Sequence, residues 1–162
     1  MEKKKNDFIA QGSILAIASI LVRVMGMIYR IPMTAIIGDK GNGFYSYAYS
    51  VYTILLLLSS YSLPLAVSKM VSAKAQLGQW RNVKRVFICA IAFAIGIGTT
   101  FGLIVLIGAQ FFTRVFFHSE LAAIALRFMA PTILIMALLG VFRGFFQGLQ
   151  NTLPTAVSQI VE

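Results

Sequence analysis

The sequence predicts an all-α membrane protein, a polytopic helical bundle of about four transmembrane helices plus the start of a fifth. Three observations lead there. Of 162 residues, 59% are hydrophobic and 12% charged, with a mean hydropathy of +0.84. That leaves too few charges to clothe a soluble domain of this size. The apolar residues gather in long runs, each longer than the roughly 20 residues a helix needs to cross a bilayer core. The Lys and Arg residues, which carry the net charge to +9, collect at the ends of those runs. Such clustering reflects membrane topology and not a nucleic-acid surface, and no DNA- or RNA-binding motif accompanies it.

The first span covers residues 8–37. A basic start, Met1 to Lys5, followed by apolar residues has the outline of a secretory signal. The apolar run, however, continues well past the roughly 7–15 residues of a signal core, so it is read as an uncleaved transmembrane helix. It ends at the turn-forming run Gly38-Asp39-Lys40-Gly41-Asn42-Gly43. The second span, 44–68, opens with Phe44, Tyr45, Tyr47, Tyr49 and Tyr52, rings that favour the membrane–water interface. Residues 69–85 mix Lys69, Lys74, Arg81, Lys84 and Arg85 with Met70, Val71, Leu77 and Trp80, an amphipathic loop suited to a cytoplasmic membrane surface.

The third span covers 86–112. Its Gly96, Gly98 and Gly102 lack the preceding strand and the spacing of a nucleotide-binding loop, so they are assigned, with Ala92, to close helix packing. The fourth span is 121–148, and a fifth starts at 154, where Pro154 suits a first helical turn. Pro64 and Pro131, inside spans, are expected to kink helices.

Orientation follows from the bases. Lys3, Lys4 and Lys5 precede span one, and the second loop holds five bases and no acid. The first loop pairs Lys40 with Asp39, and the third has Arg114, His118 and Glu120. The positive-inside rule places the N-terminus and residues 69–85 in the cytoplasm.

Two residues within these spans stand out. Arg23 and Arg30 lie inside the first apolar run, and a central charge costs about 2.5–3.5 kcal/mol on insertion scales. Their spacing of about two turns puts both guanidinium groups on nearly one face. That face is expected to line a bundle interior or a water-filled cavity suited to an anionic ligand. Arg143, Gln147 and Gln150 form another polar face on span four. Its first reading is a cytoplasmic helix end with a snorkelling arginine, and its second a gate or cavity floor. Arg127 reads as snorkelling near the outer end, and His118 as an ordinary loop residue. Cys89 is alone in an apolar span, so no metal site is expected. No nucleophile–base pair or paired carboxylates appear, so a non-enzymatic protein without cofactors is expected.

The stretch Ser13-Ile14-Leu15, Val22-Arg23-Val24-Met25-Gly26, Tyr29-Arg30-Ile31-Pro32 and Ile37-Gly38 resembles the first helix of the multidrug/oligosaccharidyl-lipid/polysaccharide flippase superfamily. Within it, the likeness is to the polysaccharide biosynthesis and stage V sporulation protein B branch, which includes lipid II flippases of the MurJ type. Leu63-Pro64 with Val67-Ser68-Lys69 is similar to that branch as well. So is Phe142-Arg143-Gly144-Phe145-Phe146-Gln147-Gly148-Leu149-Gln150-Asn151, followed by Pro154-Thr155-Ala156-Val157-Ser158-Gln159-Ile160.

The resemblance implies a MATE-like transporter of two six-helix bundles in a bacterial cytoplasmic membrane. It would flip a lipid-linked saccharide diphosphate by alternating access, with membrane lipid around it. Arg23 and Arg30 match positions that hold pyrophosphate in the MurJ type. An acid and an arginine expected in the second helix of the Gram-negative type have no counterpart between Gly43 and Leu58. Asp39 is the nearby carboxylate, grouped with Arg143 and Gln147 as a gate or cavity candidate. The chain supplies most of a first bundle, so the rest of the transporter is expected as its partner. Two alternatives are a drug–cation antiporter of the same fold, which would need carboxylates within its spans, and a non-transporting membrane scaffold.

Overall fold

The computed structural model describes residues 2–60, 62–117 and 121–161. They form five helices and no strand: α1 Glu2–Ser60, α2 Leu63–Gln76, α3 Trp80–Phe117, α4 Leu121–Gly148 and α5 Leu153–Val161. His118 and Glu120, expected in the third loop, lie outside the described residues.

The first two predicted spans share α1, which is not straight. Gly38 takes φ 71° and ψ 172°, a conformation that breaks the helix and that only glycine adopts at low cost. Tyr45 is an electrostatic neighbour of both Tyr29 and Arg30. An unbroken helix would hold Arg30 and Tyr45 about 22 Å apart along its axis. The chain therefore bends at Gly38 into two arms, residues 2–37 and 39–60. The expected loop of six turn-forming residues contracts to one bent residue, and Asp39 to Gly43 already belong to the second arm. Asp39 sits in that arm's first turn, where a carboxylate complements the exposed backbone N–H groups.

The second predicted span is also cut short. Helix resumes at Leu63 with Pro64 in its first turn, and 63–68 run on with 69–76 as α2. Pro64 starts a helix and does not kink one, because a first-turn residue needs no intrahelical N–H donor. Residues 69–85 are thus divided among α2, a tight turn and the start of α3. That turn closes α2: Gly78, at φ 68°, donates its N–H to Ala75 O and Gln79 donates to Lys74 O, both at 3.0 Å. This is the paired-carbonyl stop of a left-handed C-terminal residue.

α4 is the central helix, packed against α1, α2 and α3. Its contacts combine small side chains with larger aliphatic ones. Ala123, Leu126, Ala130 and Ile133 meet Val105 and Ala109 of α3 and Ala48 and Val51 of α1. Ala137 and Val141 meet Ala94 and Leu63. Small residues allow the close approach on which helix association in lipid depends. Gly140, Gly144 and Gly148 recur every fourth position, and Gly144 and Gly148 face α2. A Cβ at Gly144 would lie 2.5 Å from Pro64 O, and one at Gly148 would lie 2.8 Å from Ser68 O.

On α3 the expected small-residue contact is met at only two of its four named positions. A Cβ at Gly98 would lie 2.9 Å from Leu134 Cα, and one at Gly102 would lie 3.4 Å from Ala130 O. One at Gly96 would meet nothing, and Ala92 is exposed. The helix turns those two away from α4.

Among the described residues, three stretches are long and apolar enough to cross a membrane: Gly12–Ile54, Trp80–Val115 and Ala122–Gly148. The first is divided by the bend at Gly38. The architecture is an all-α polytopic membrane bundle with α4 at its centre.

Candidate functional site

The corner between α4 and α5 grows from the end of α4. Gln150 takes φ 61°. It donates its N–H to Gln147 O, and Asn151 donates to Phe146 O, both at 3.0 Å. This is the same stop that closes α2, here with glutamine in the left-handed position. Asn151 Oδ1 then accepts the N–H of Leu153 at 3.3 Å, and Ala156 N–H bonds Thr152 O at 3.0 Å, starting α5. The sharp corner lays α5 beside α1.

Between the second arm of α1, α4 and α5 lies a cavity of about 450 Å³. Each helix presents two polar side chains one turn apart: Tyr49 and Thr53 from α1, Arg143 and Gln147 from α4, Thr155 and Gln159 from α5. Leu56, Pro64, Met136 and Gly140 complete the wall. Arg143 does not run outward to the interface. It is half-buried, and its Nε donates to Ser158 Oγ on α5 at 2.9 Å. Ser158 Oγ in turn donates to Thr155 O at 2.9 Å. Thr155 is fully buried at 1% exposure. Its Oγ1 and the Oε1 of Gln159 have no hydrogen-bond partner among the described residues.

The sequence-derived candidates therefore separate. Arg143 and Gln147 share the cavity wall, whereas Gln150 leaves their face because the helix ends before it. Arg23, Arg30 and Asp39 do not line this cavity. All three are exposed, the two arginines on the first arm of α1 and Asp39 just past its bend. The hydroxyl of Thr34 donates back to Arg30 O. Among the described residues, no group of three or more His, Cys, Asp or Glu gathers as a metal site would need.

Thr155 and Gln159 are functional candidates that the charge pattern did not single out. Their signal was a spacing: Tyr49/Thr53, Arg143/Gln147 and Thr155/Gln159 repeat one i, i+4 polar pair on three helices. Only the fold shows that the three pairs converge.

Residues 8–162 match the family model described as polysaccharide biosynthesis protein. Among curated proteins, the chain is 27% identical to the lipid II flippase MurJ of Bacillus subtilis, over 92% of this chain and 29% of that protein. It is 27% identical to the stage V sporulation protein B of the same organism, over 98% of this chain and 30% of that one. A third relative, the uncharacterized membrane protein YabM, is 28% identical over 98% of this chain. The chain thus spans about three tenths of the length of the curated relatives it matches. No solved structure matches it.

Proposed function

The chain belongs to the polysaccharide biosynthesis protein family, within the flippase superfamily that holds the MurJ and stage V sporulation B proteins, and on that premise we propose that it works as part of a flippase. Its cargo is a lipid-linked saccharide diphosphate, such as a polysaccharide or peptidoglycan precursor, moved across the bacterial cytoplasmic membrane by alternating access. The remainder of the transporter supplies the second bundle against which these helices rock. The function is transport and not catalysis.

The observation that carries this reading is the exposure of Arg23 and Arg30 on an otherwise apolar arm. Two guanidinium groups facing hydrocarbon would each cost about 2.5–3.5 kcal/mol. Facing an aqueous cavity, they meet the diphosphate with planar forks that donate paired hydrogen bonds and stay charged when partly desolvated.

The test is complementation of a flippase-depleted strain by the full-length protein, normalised to its abundance in the membrane. Arg23→Lys keeps the charge and loses the fork, so partial activity is expected; Arg23→Ala should be nearly inactive at normal abundance. Full complementation by Arg23→Ala overturns the reading and favours a scaffold.

A further inference from the structure

The geometry points to a headgroup slot for an anionic bilayer phospholipid, where α2 turns into α3 beside the end of α4. It shares no lining residue with the α1–α4–α5 cavity, and it stands independently of Arg23, Arg30 and the transport assignment. The slot holds about 580 Å³, within the roughly 300–1,000 Å³ typical of small-molecule sites. Ser72 and Gln76 of α2, Trp80 of α3 and Gln150 of the α4–α5 corner line it, together with Gly148 and Leu149. Each of those four polar side chains carries an N–H or O–H donor. Gln76 Nε2 donates to Ser72 Oγ at 3.4 Å, a bond that leaves the serine hydroxyl proton and the second amide proton for a ligand oxygen.

Cations stand at the rim. Lys69, Ser72 and Gln76 fall on one face of α2, at i, i+3 and i+7, and Trp80 and Lys84 fall on one face of α3, at i and i+4. Both lysines are exposed, and residues 69–85 hold five bases and no acid. Donors inside and positive charge around them suit a phosphate oxyanion. The apolar neighbours select a lipid over a soluble anion. Met70, Leu77 and Trp80 are all exposed beside the slot. A soluble anion would leave them in water, whereas a phospholipid brings its headgroup to the lysines and its glycerol and chain ends to the indole and aliphatic groups.

Gln150 reaches the slot from a strained position. Among the described residues it is the one non-glycine at positive φ, 61°, whereas the equivalent stop of α2 uses Gly78. A side chain is disfavoured in that backbone conformation, and strain of this kind concentrates at ligand-binding sites. Here the strained residue is the one whose amide lines the slot.

Isothermal titration of the full-length protein in uncharged detergent tests this with two short-chain probes, dioctanoyl phosphatidylglycerol and dioctanoyl phosphatidylcholine. Phosphatidylglycerol should bind about tenfold more tightly or better, by a margin that shrinks with added salt. Lys69→Gln combined with Lys84→Gln should cut that margin about tenfold. Lys74→Gln removes the same charge from another face of α2 and should leave the margin intact. Gln150→Gly should weaken phosphatidylglycerol several-fold while raising the thermal midpoint of the lipid-free protein. A residue with only a structural role would not split the two readouts, so this variant keeps the test decisive if the lysine variants fail to fold. Equal affinity for the two lipids, or a preference that neither the lysine pair nor Gln150→Gly moves, would overturn the proposal. So would a margin that Lys74→Gln erodes as much as the pair does, because diffuse charge would then account for it without a slot. Tighter binding of a polyglutamate peptide than of phosphatidylglycerol would make this surface a protein dock and overturn the lipid assignment as well.

Discussion

Gln150 holds the α4–α5 corner at φ 61°, where a residue with a Cβ pays about 1–2 kcal/mol. Glycine adopts that conformation freely, and Gly78 does so at the equivalent stop of α2. Gln150→Gly is therefore expected to stabilise the full-length protein by about 1 kcal/mol, read as a raised thermal midpoint in detergent. Both backbone bonds of the corner survive, because they come from main-chain N–H groups. A lowered midpoint would show that the Gln150 side chain contributes more than its backbone strain costs. Residues at this scale were unevenly legible. Arg23 and Arg30 announce themselves because a charge in an apolar run is visible in one dimension. The pairing of Arg143 with Ser158 is not, because it needs the reversal at 149–152 to bring α5 back. The charge pattern put Gln150 on the same face as Arg143, which would hold only if the helix continued past Gly148.

Among the elements, the crossing of α2 and α4 depends on glycines that leave no room for a side chain. A Cβ at Gly144 would lie 2.5 Å from Pro64 O and 2.9 Å from Pro64 Cα, both rigid backbone at a helix start. Gly144→Ala must push α2 away and open the contact beneath it, where Leu63 meets Ala94, Ala137 and Val141. Overpacking of this kind costs about 1–3 kcal/mol. Gly96→Ala is the control: its added Cβ meets nothing within 4 Å, and alanine is the better helix former. Membrane abundance should fall for Gly144→Ala and hold or rise for Gly96→Ala. Equal abundance would remove the crossing as a determinant of the fold. The lengths of the apolar runs and their helical character could be read from composition. Which glycines pack could not, since that depends on the rotation of each helix about its own axis.

At the scale of the whole molecule, basic residues gather where α2 turns into α3. Lys69, Arg81, Lys84 and Arg85 are exposed there beside Trp80 and Leu77, which are 63% and 68% exposed. An apolar wedge ringed by bases suits the headgroup level of an anionic leaflet. The same end carries the α4–α5 cavity, since Gly148 packs on Ser68 and Val71 of α2. The bend at Gly38 separates the two arms of α1, and the loop charges predict residue 40 on the opposite side from residue 74. The expected outcome is checked on the full-length protein with Cys89, which is exposed, replaced by serine and single cysteines placed at Lys40 or Lys74. A membrane-impermeant thiol reagent added to intact cells should label position 40 and spare position 74, which reacts only after permeabilisation. The reverse pattern would invert the topology and move the α4–α5 cavity to the outer side.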